Sequence, residues 1–210
     1  DLVAVIGPRV EGGRGWDSQL MLSVNISPSQ LKDPWLAQKM LKLLVETGFA
    51  PERLEVEITE SSLFENLGLA QSIVGSLKNQ GIGLALDDFG TGYSSLAHLR
   101  ALPFDRIKID RSFISSINEN PESAAIVNAI TRLAESLNLA VTAEGIEDEL
   151  IEGRLRSVGN YKGQGWLFGK PIPADAVRRM LAERNLLPAG RGNEPPRRRM
   201  NNRDRIRRTR

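Results

Sequence analysis

From about residue 20 to 187, short apolar runs alternate with amphipathic stretches. Apolar or period-two runs predict strands at LMLSVNI (20–26), RLEVEI (53–58), IGLALDD (82–88), DRIKID (105–110), LAVTAEG (139–145) and GWLFG (165–169). Between them, Leu36, Met40 and Leu44 recur at helical spacing, as do Leu69, Ile73 and Leu77. Ile126, Ile130, Leu133 and Leu137 add another stripe, and residues 174–187 predict a last helix. Ser62 followed by Glu65 has the form of a capping box, and Asn120-Pro121 puts a capping side chain before a first-turn proline. Strict alternation of strand and helix predicts parallel strands with crossover helices, an α/β fold. Six strands suit a doubly wound sheet and are two short of a (β/α)8 barrel.

The ends of the chain read differently. Residues 7–15 are glycine-rich and loop-like, so 1–19 stand apart as a non-matching N-terminal segment. The barrel or sheet domain is expected over 20–187. From 188 to 210 apolar periodicity stops, and an Arg-rich, disordered tail is expected. Residues 191–210 hold nine Arg against Glu194 and Asp204, a local charge of +7, so the net +2 of the whole leaves −5 for the rest. The basic balance thus belongs to the tail, and specific nucleic-acid binding is not expected. An acidic body points instead to a divalent cation. No run reaches the roughly 18 apolar residues of a membrane span, and the start lacks the form of a signal peptide, so a cytoplasmic chain is expected. The absence of Cys removes disulfides and thiol chemistry, and a single histidine, His98, rules out a multi-His metal site.

Chemistry-bearing residues cluster at the carboxyl ends of the expected strands: Asn25, Glu57, Asp87 with Asp88, Lys108 with Asp110, Glu144 and Gln164. One such residue is ordinarily a cap or a turn former. Successive strands that each deliver one converge on a single rim, where α/β active sites form. Asn25, Glu57, Asp87 and Asp88 offer only hard oxygen donors, which select Mg²⁺ or Mn²⁺, with Ca²⁺ as competitor. Adjacent carboxylates repel unless a cation lies between them. Neighbours on a regular strand point to opposite faces, so the strand is expected to end at Asp87-Asp88. The following FGTGYSS (89–95) supplies a turn and a candidate lid, and it lacks the Lys-Ser/Thr ending of a phosphate-binding loop. Lys108 suits phosphoryl charge or a water, or more simply pairs with Asp110 or Glu144. Oxygen ligands, a lysine and a further carboxylate together suit metal-assisted phosphodiester hydrolysis.

NIS (25–27), EVEITES (55–61), LALDDFGTGYSSLAHLRALPFDRIKIDRSFI (84–114), TAEGIED (142–148) and QGWLFGKPIP (164–173) resemble the EAL domain. The resemblance runs from about residue 20 to 183 and implies a TIM-like (β/α)8 barrel that hydrolyses cyclic di-GMP to linear pGpG with two Mg²⁺ or Mn²⁺ ions. It implies metal ligation by Asn25, Glu57, Asp87 and Asp88, management of the attacking water by Lys108 and Glu144, and completion of the set by Gln164. It implies that Glu60 holds the DDFGTGYSS loop and that Asp110 approaches a guanine base. It leaves room for a homodimer. The family's Glu-Ala-Leu segment, with its metal-binding Glu, does not stand before Asn25 in this chain. About six βα units are therefore expected, with impaired activity. The alternative is a degenerate module that binds nucleotide or a protein partner without catalysis, and a third reading is an unstable fragment. Phe168 and Pro171 are expected to serve packing and a turn, and His98 a helix surface. Trp16, Trp35 and Trp166 are too scattered for a stacking platform.

Overall fold

The computed structural model describes residues 20–64, 66–91, 96–184 and 186. Among them are β1 (Leu22–Ile26), β2 (Leu54–Thr59), β3 (Gly83–Phe89), β4 (Arg106–Ile109), β5 (Ala140–Ala143) and β6 (Lys162–Gly163). The helices are α1 (Pro28–Leu31), α2 (Leu36–Thr47), α3 (Glu60–Phe64), α4 (Leu67–Asn79), α5 (Leu96–Ala101), α6 (Arg111–Ser115), α7 (Pro121–Ser136), α8 (Glu149–Val158) and α9 (Ala174–Glu183). All strand pairs are parallel, in the order β1-β2-β3-β4-β5-β6.

That order decides between the two architectures left open by the strand count. Crossovers between parallel strands are right-handed, so a sheet that always advances in one direction puts every crossover helix on the same face. A doubly wound sheet needs a reversal of order, and none occurs among the described strands. The six strands curl as part of a TIM-like barrel, helices outside. Side-chain parity agrees. Val24, Ile26, Leu54, Val56, Ile58, Leu84, Leu86, Ile107, Ile109, Val141 and Ala143 are buried in the apolar core shared with the helices. Their alternates, Ser23, Asn25, Glu55, Glu57, Ala85, Asp87, Arg106, Lys108 and Thr142, therefore share the inner face.

The helices bury the stripes that their periodicity predicts. Leu36, Met40 and Leu44 are buried on α2, and Ile73 and Leu77 on α4. On α7 the buried face is Val127, Ile130, Thr131 and Ala134, so Ile126, Leu133 and Leu137 flank it. Asn120 caps α7 by accepting from the Glu122 N–H, with Pro121 in the first turn.

Three local expectations are corrected. Ser62 is not a cap: it lies buried within α3, bonded to Thr59 Oγ1 at 2.5 Å, and Asn66 caps the next helix by accepting from the Leu69 N–H. Asn66 suits because it stands immediately before the apolar stripe of α4. The last strand is not 165–169 but Lys162–Gly163. After it the backbone folds over Ile146 instead of continuing alongside β5: the Ile146 N–H donates to the Gln164 carbonyl at 3.1 Å, and the Leu167 N–H to the Ile146 carbonyl at 3.1 Å. A Cβ at Gly165 would lie 2.1 Å from the Ile146 carbonyl oxygen, so only glycine permits this approach. The last helix ends at Glu183 rather than Leu187. Residues 1–19, the lid stretch 92–95 and the tail from 188 lie outside the described residues.

Candidate metal-dependent active site

The rim of the inner face is shaped by an irregularity in β3. Leu86 pairs with Ile107 and Phe89 with Ile109, so Asp87 and Asp88 together oppose the single residue Lys108. That is a β-bulge. It corrects the expectation that the strand ends at this pair. Asp88 takes φ 56°, a left-handed backbone that Asp tolerates better than most residues because its short side chain bonds locally. Its N–H donates to Asp87 Oδ1 at 3.0 Å. One carboxylate oxygen from each of Asp87, Asp88 and Glu144 lies within 4.8 Å of the other two.

Lys108 stands at the centre of the acidic group. Its Nζ lies 2.6 Å from Glu57 Oε2, 2.7 Å from Glu144 Oε1 and 3.1 Å from Asp87 Oδ1, with 3% of its side chain exposed. Its partners are thus three carboxylates from β2, β3 and the end of β5, and Asp110 is not among those contacts. Burial pulls the Lys108 pKa down, but the hydrogen bonds it donates to Glu144 and Glu57 outweigh it and hold the ammonium above the usual lysine range. Glu144 is raised as well, but there burial acts in the opposite sense. Burial raises its pKa, the nearby charges of Asp87 and Glu57 add to that, and Lys108 opposes. Asp88 is also raised, first by burial, then by the charges of Asp87 and Asp110, against the pull of Lys108. Two carboxyls held above their ordinary range, beside a locked ammonium, form an environment that a dication would relieve.

The other expected residues stand around this centre with differing fit. Asn25 pairs in register with Glu57 and is exposed on β1. Gln164 is exposed just past β6, its N–H donating to the Ala143 carbonyl at 2.9 Å. Asp110 caps α6, accepting from the Ser112 N–H at 2.9 Å. Glu60 opens α3 at 2% exposure, and neither of its carboxylate oxygens has a hydrogen-bond donor among the described residues. Phe168 packs, as expected, but at the surface rather than in the core. One side of its ring covers Gly163, where an added Cβ would come within 2.8 Å of it, and 55% of the residue is exposed. The His98 side chain lies outside the described parts.

Sequence reasoning missed Glu55 and Arg106. They meet at 2.9 Å on the inner face, one step below Glu57 and Lys108. The signal was present: in RLEVEI and RIKI the polar residues alternate strictly, so both members of each pair share a face.

The donor set fits a hard divalent cation. Asp87, Asp88 and Glu144 bring only carboxylate oxygens, at a spacing one ion can bridge, and among the described residues no thiolate or imidazole joins them. No described helix is long and apolar enough to cross a membrane. A parallel α/β barrel face with such a carboxylate rim defines a protein of TIM-like architecture with a candidate metal site. The EAL domain pattern matches residues 10–171, and the chain belongs to that family. It is 42% identical over 160 residues to the cyclic di-GMP phosphodiesterase PdeR of Escherichia coli, covering 76% of this chain and 24% of PdeR. It is similar to the solved PaMucR phosphodiesterase in its c-di-GMP complex, with TM-score 0.72 and 38% identity, covering 75% of this chain and 64% of that one. It also resembles the manganese and cy-diGMP complex of Klebsiella pneumoniae BlrP1, with TM-score 0.74 and 30% identity, covering 81% of this chain and 44% of that one. The chain spans less than a quarter of the length of curated relatives such as PdeR.

Proposed function

We propose that this chain acts as a metal-dependent phosphodiesterase domain that hydrolyses cyclic di-GMP to linear pGpG. The observation that carries the reading is the convergence of Glu57, Asp87 and Glu144 on Lys108, with Asp88 brought alongside by the β3 bulge. The PdeR, PaMucR and BlrP1 relatives support the substrate.

Asn25, Glu57, Asp87 and Asp88 would hold Mg²⁺ or Mn²⁺. Such ions supply charge neutralisation at the phosphodiester and an acidified water. The rest falls to the chain's own groups. Glu144, whose carboxyl already favours the proton, accepts one from the attacking water. Lys108 remains charged and orients that water while stabilising phosphoryl oxygens. Gln164 and Asp110 flank the rim as substrate-facing groups, and Glu60 anchors the loop after β3.

A second reading is binding without hydrolysis. It is favoured by Lys108 itself, whose ammonium already satisfies Glu57, Asp87 and Glu144 without an ion. Incubation with cyclic di-GMP and Mn²⁺, followed by chromatography, separates the two. Appearance of pGpG that is lost in Glu144→Ala supports catalysis. Saturable nucleotide binding with no pGpG supports the second reading.

A further inference from the structure

We propose that Glu55 and Arg106 are positioning residues: their ion pair, crossing β3 directly beneath the carboxylate–lysine cluster, sets the spacing of Glu57, Asp87 and Lys108. The inference rests on reading that cluster as a metal-dependent site.

Arg106 Nε donates to Glu55 Oε2 at 2.9 Å, and its Nη1 donates to Thr142 Oγ1 at 3.3 Å. Ser23 Oγ donates to the other oxygen, Glu55 Oε1, at 3.2 Å. The network therefore ties β1, β2, β4 and β5 together. Between β2 and β4 it passes over β3 where the inner-face residues are Gly83 and Ala85, which present no more than a methyl group to obstruct it. The Lys108–Glu57 contact, at 2.6 Å, joins the same two strands. It stands two residues further along each, or about 6.6 Å at the usual strand rise.

Two layers of the same design differ in the cation, and the difference has a reason. The planar guanidinium of Arg106 spreads two donors toward Glu55 and Thr142 at once, and it stays charged. Lys108 above is a point charge free to face three carboxylates. If Arg106 were absent, the Glu55 side chain, 9% exposed, would be left needing a cation. Lys108, two residues along β4 from Arg106 on the same inner face, would be drawn toward Glu55 and away from Asp87 and Glu144.

Positioning and bulk charge predict opposite signs. Removing the Arg106 charge makes the site more negative, so electrostatics alone would tighten Mn²⁺ binding. Loss of positioning weakens it. The test uses Arg106→Met and the charge-balanced Glu55→Met/Arg106→Met, the latter because it buries no unpaired charge. Three readouts are taken: Mn²⁺ affinity by calorimetry, the Lys108 ammonium signal by ¹⁵N NMR in metal-free chain, and kcat against KM on cyclic di-GMP. The proposal expects about tenfold weaker Mn²⁺ binding in the double variant, the scale of supporting groups around metal ligands. It also expects a displaced Lys108 signal, and a fall in kcat with KM unchanged. A folded double variant with wild-type Mn²⁺ affinity and an unmoved Lys108 signal overturns it, as does tighter Mn²⁺ binding in Arg106→Met. A wild-type chain that yields no pGpG counts against the hydrolytic reading alone, because the NMR comparison still decides the positioning claim.

Discussion

Asp88 stands beside Asp87 on one rim because its backbone turns to φ 56° where β3 bulges against Lys108. On a regular strand its carboxylate would point into the helix-packed layer, where an unpaired charge is costly. The bulge therefore converts two consecutive acids into neighbours that reach one site with Glu144.

Asp88→Asn keeps a residue tolerant of the left-handed region and removes the charge. It should fold with wild-type stability and bind Mn²⁺ at least tenfold more weakly. Asp88→Ala should lose binding equally and cost a further ~1 kcal/mol of stability from its disfavoured backbone. Calorimetry and urea denaturation report the two effects separately. Equal Mn²⁺ affinity in all three chains would remove Asp88 from the site.

Lys108→Met leaves Glu57, Asp87 and Glu144 facing one another without a cation. Breaking a buried pair by removing one partner costs about 3–5 kcal/mol, so the metal-free variant should denature at much lower urea. Added Mn²⁺ should recover part of that loss, since it binds the folded form. A variant as stable as wild type without metal would show that the ammonium is not the internal counter-ion.

The pH dependence has two limbs of defined sign. Lys108 and Tyr161 are both held above their ordinary values. For Lys108 burial is outweighed by carboxylate hydrogen bonds, and for Tyr161 burial dominates. Groups raised on folding lend stability that is complete below their unfolded pKa, about 10, and is lost as pH climbs through the folded value. Stability should thus fall in strong alkali, and less steeply in Tyr161→Phe. At the acid end, the raised carboxyls of Asp88 and Glu144 release protons when a dication binds, so Mn²⁺ affinity should rise from pH 5 to pH 7. Calorimetry in buffers of different ionisation enthalpy measures that proton release, and its absence would contradict the account.

Two glycines should respond in opposite directions. Gly165→Ala would put a methyl 2.1 Å from the Ile146 carbonyl oxygen, and it should destabilise by about 3 kcal/mol or more as the chain after β6 is displaced. Gly153 lies within α8 with nothing near its missing Cβ. Gly153→Ala should stabilise by about 0.5–1 kcal/mol through helix propensity and a less flexible unfolded chain. Thermal melts of the pair suffice to check both.

The amino-acid sequence alone determined the alternation of strands and helices, because burial of one stripe per helix and one face per strand writes its own period into the chain. It also marked Asn25, Glu57, Asp87, Lys108 and Glu144 as strand-end residues, and the motif spacing around them carried the family resemblance. Local signals were weaker where several polar residues compete, as at Ser62 and Asn66, and where aromatic residues imitate a strand, as at 165–169. Tertiary structure decided the rest. Strand order, not strand count, separated a barrel face from a doubly wound sheet, and order depends on contacts distant in sequence. The bulge at Asp88 and the partners of Lys108 arise only when β2, β3, β4 and β5 lie side by side. So does the layer of Glu55 and Arg106 beneath them, since a charge at one strand position has no identifiable partner until the register of its neighbours is set.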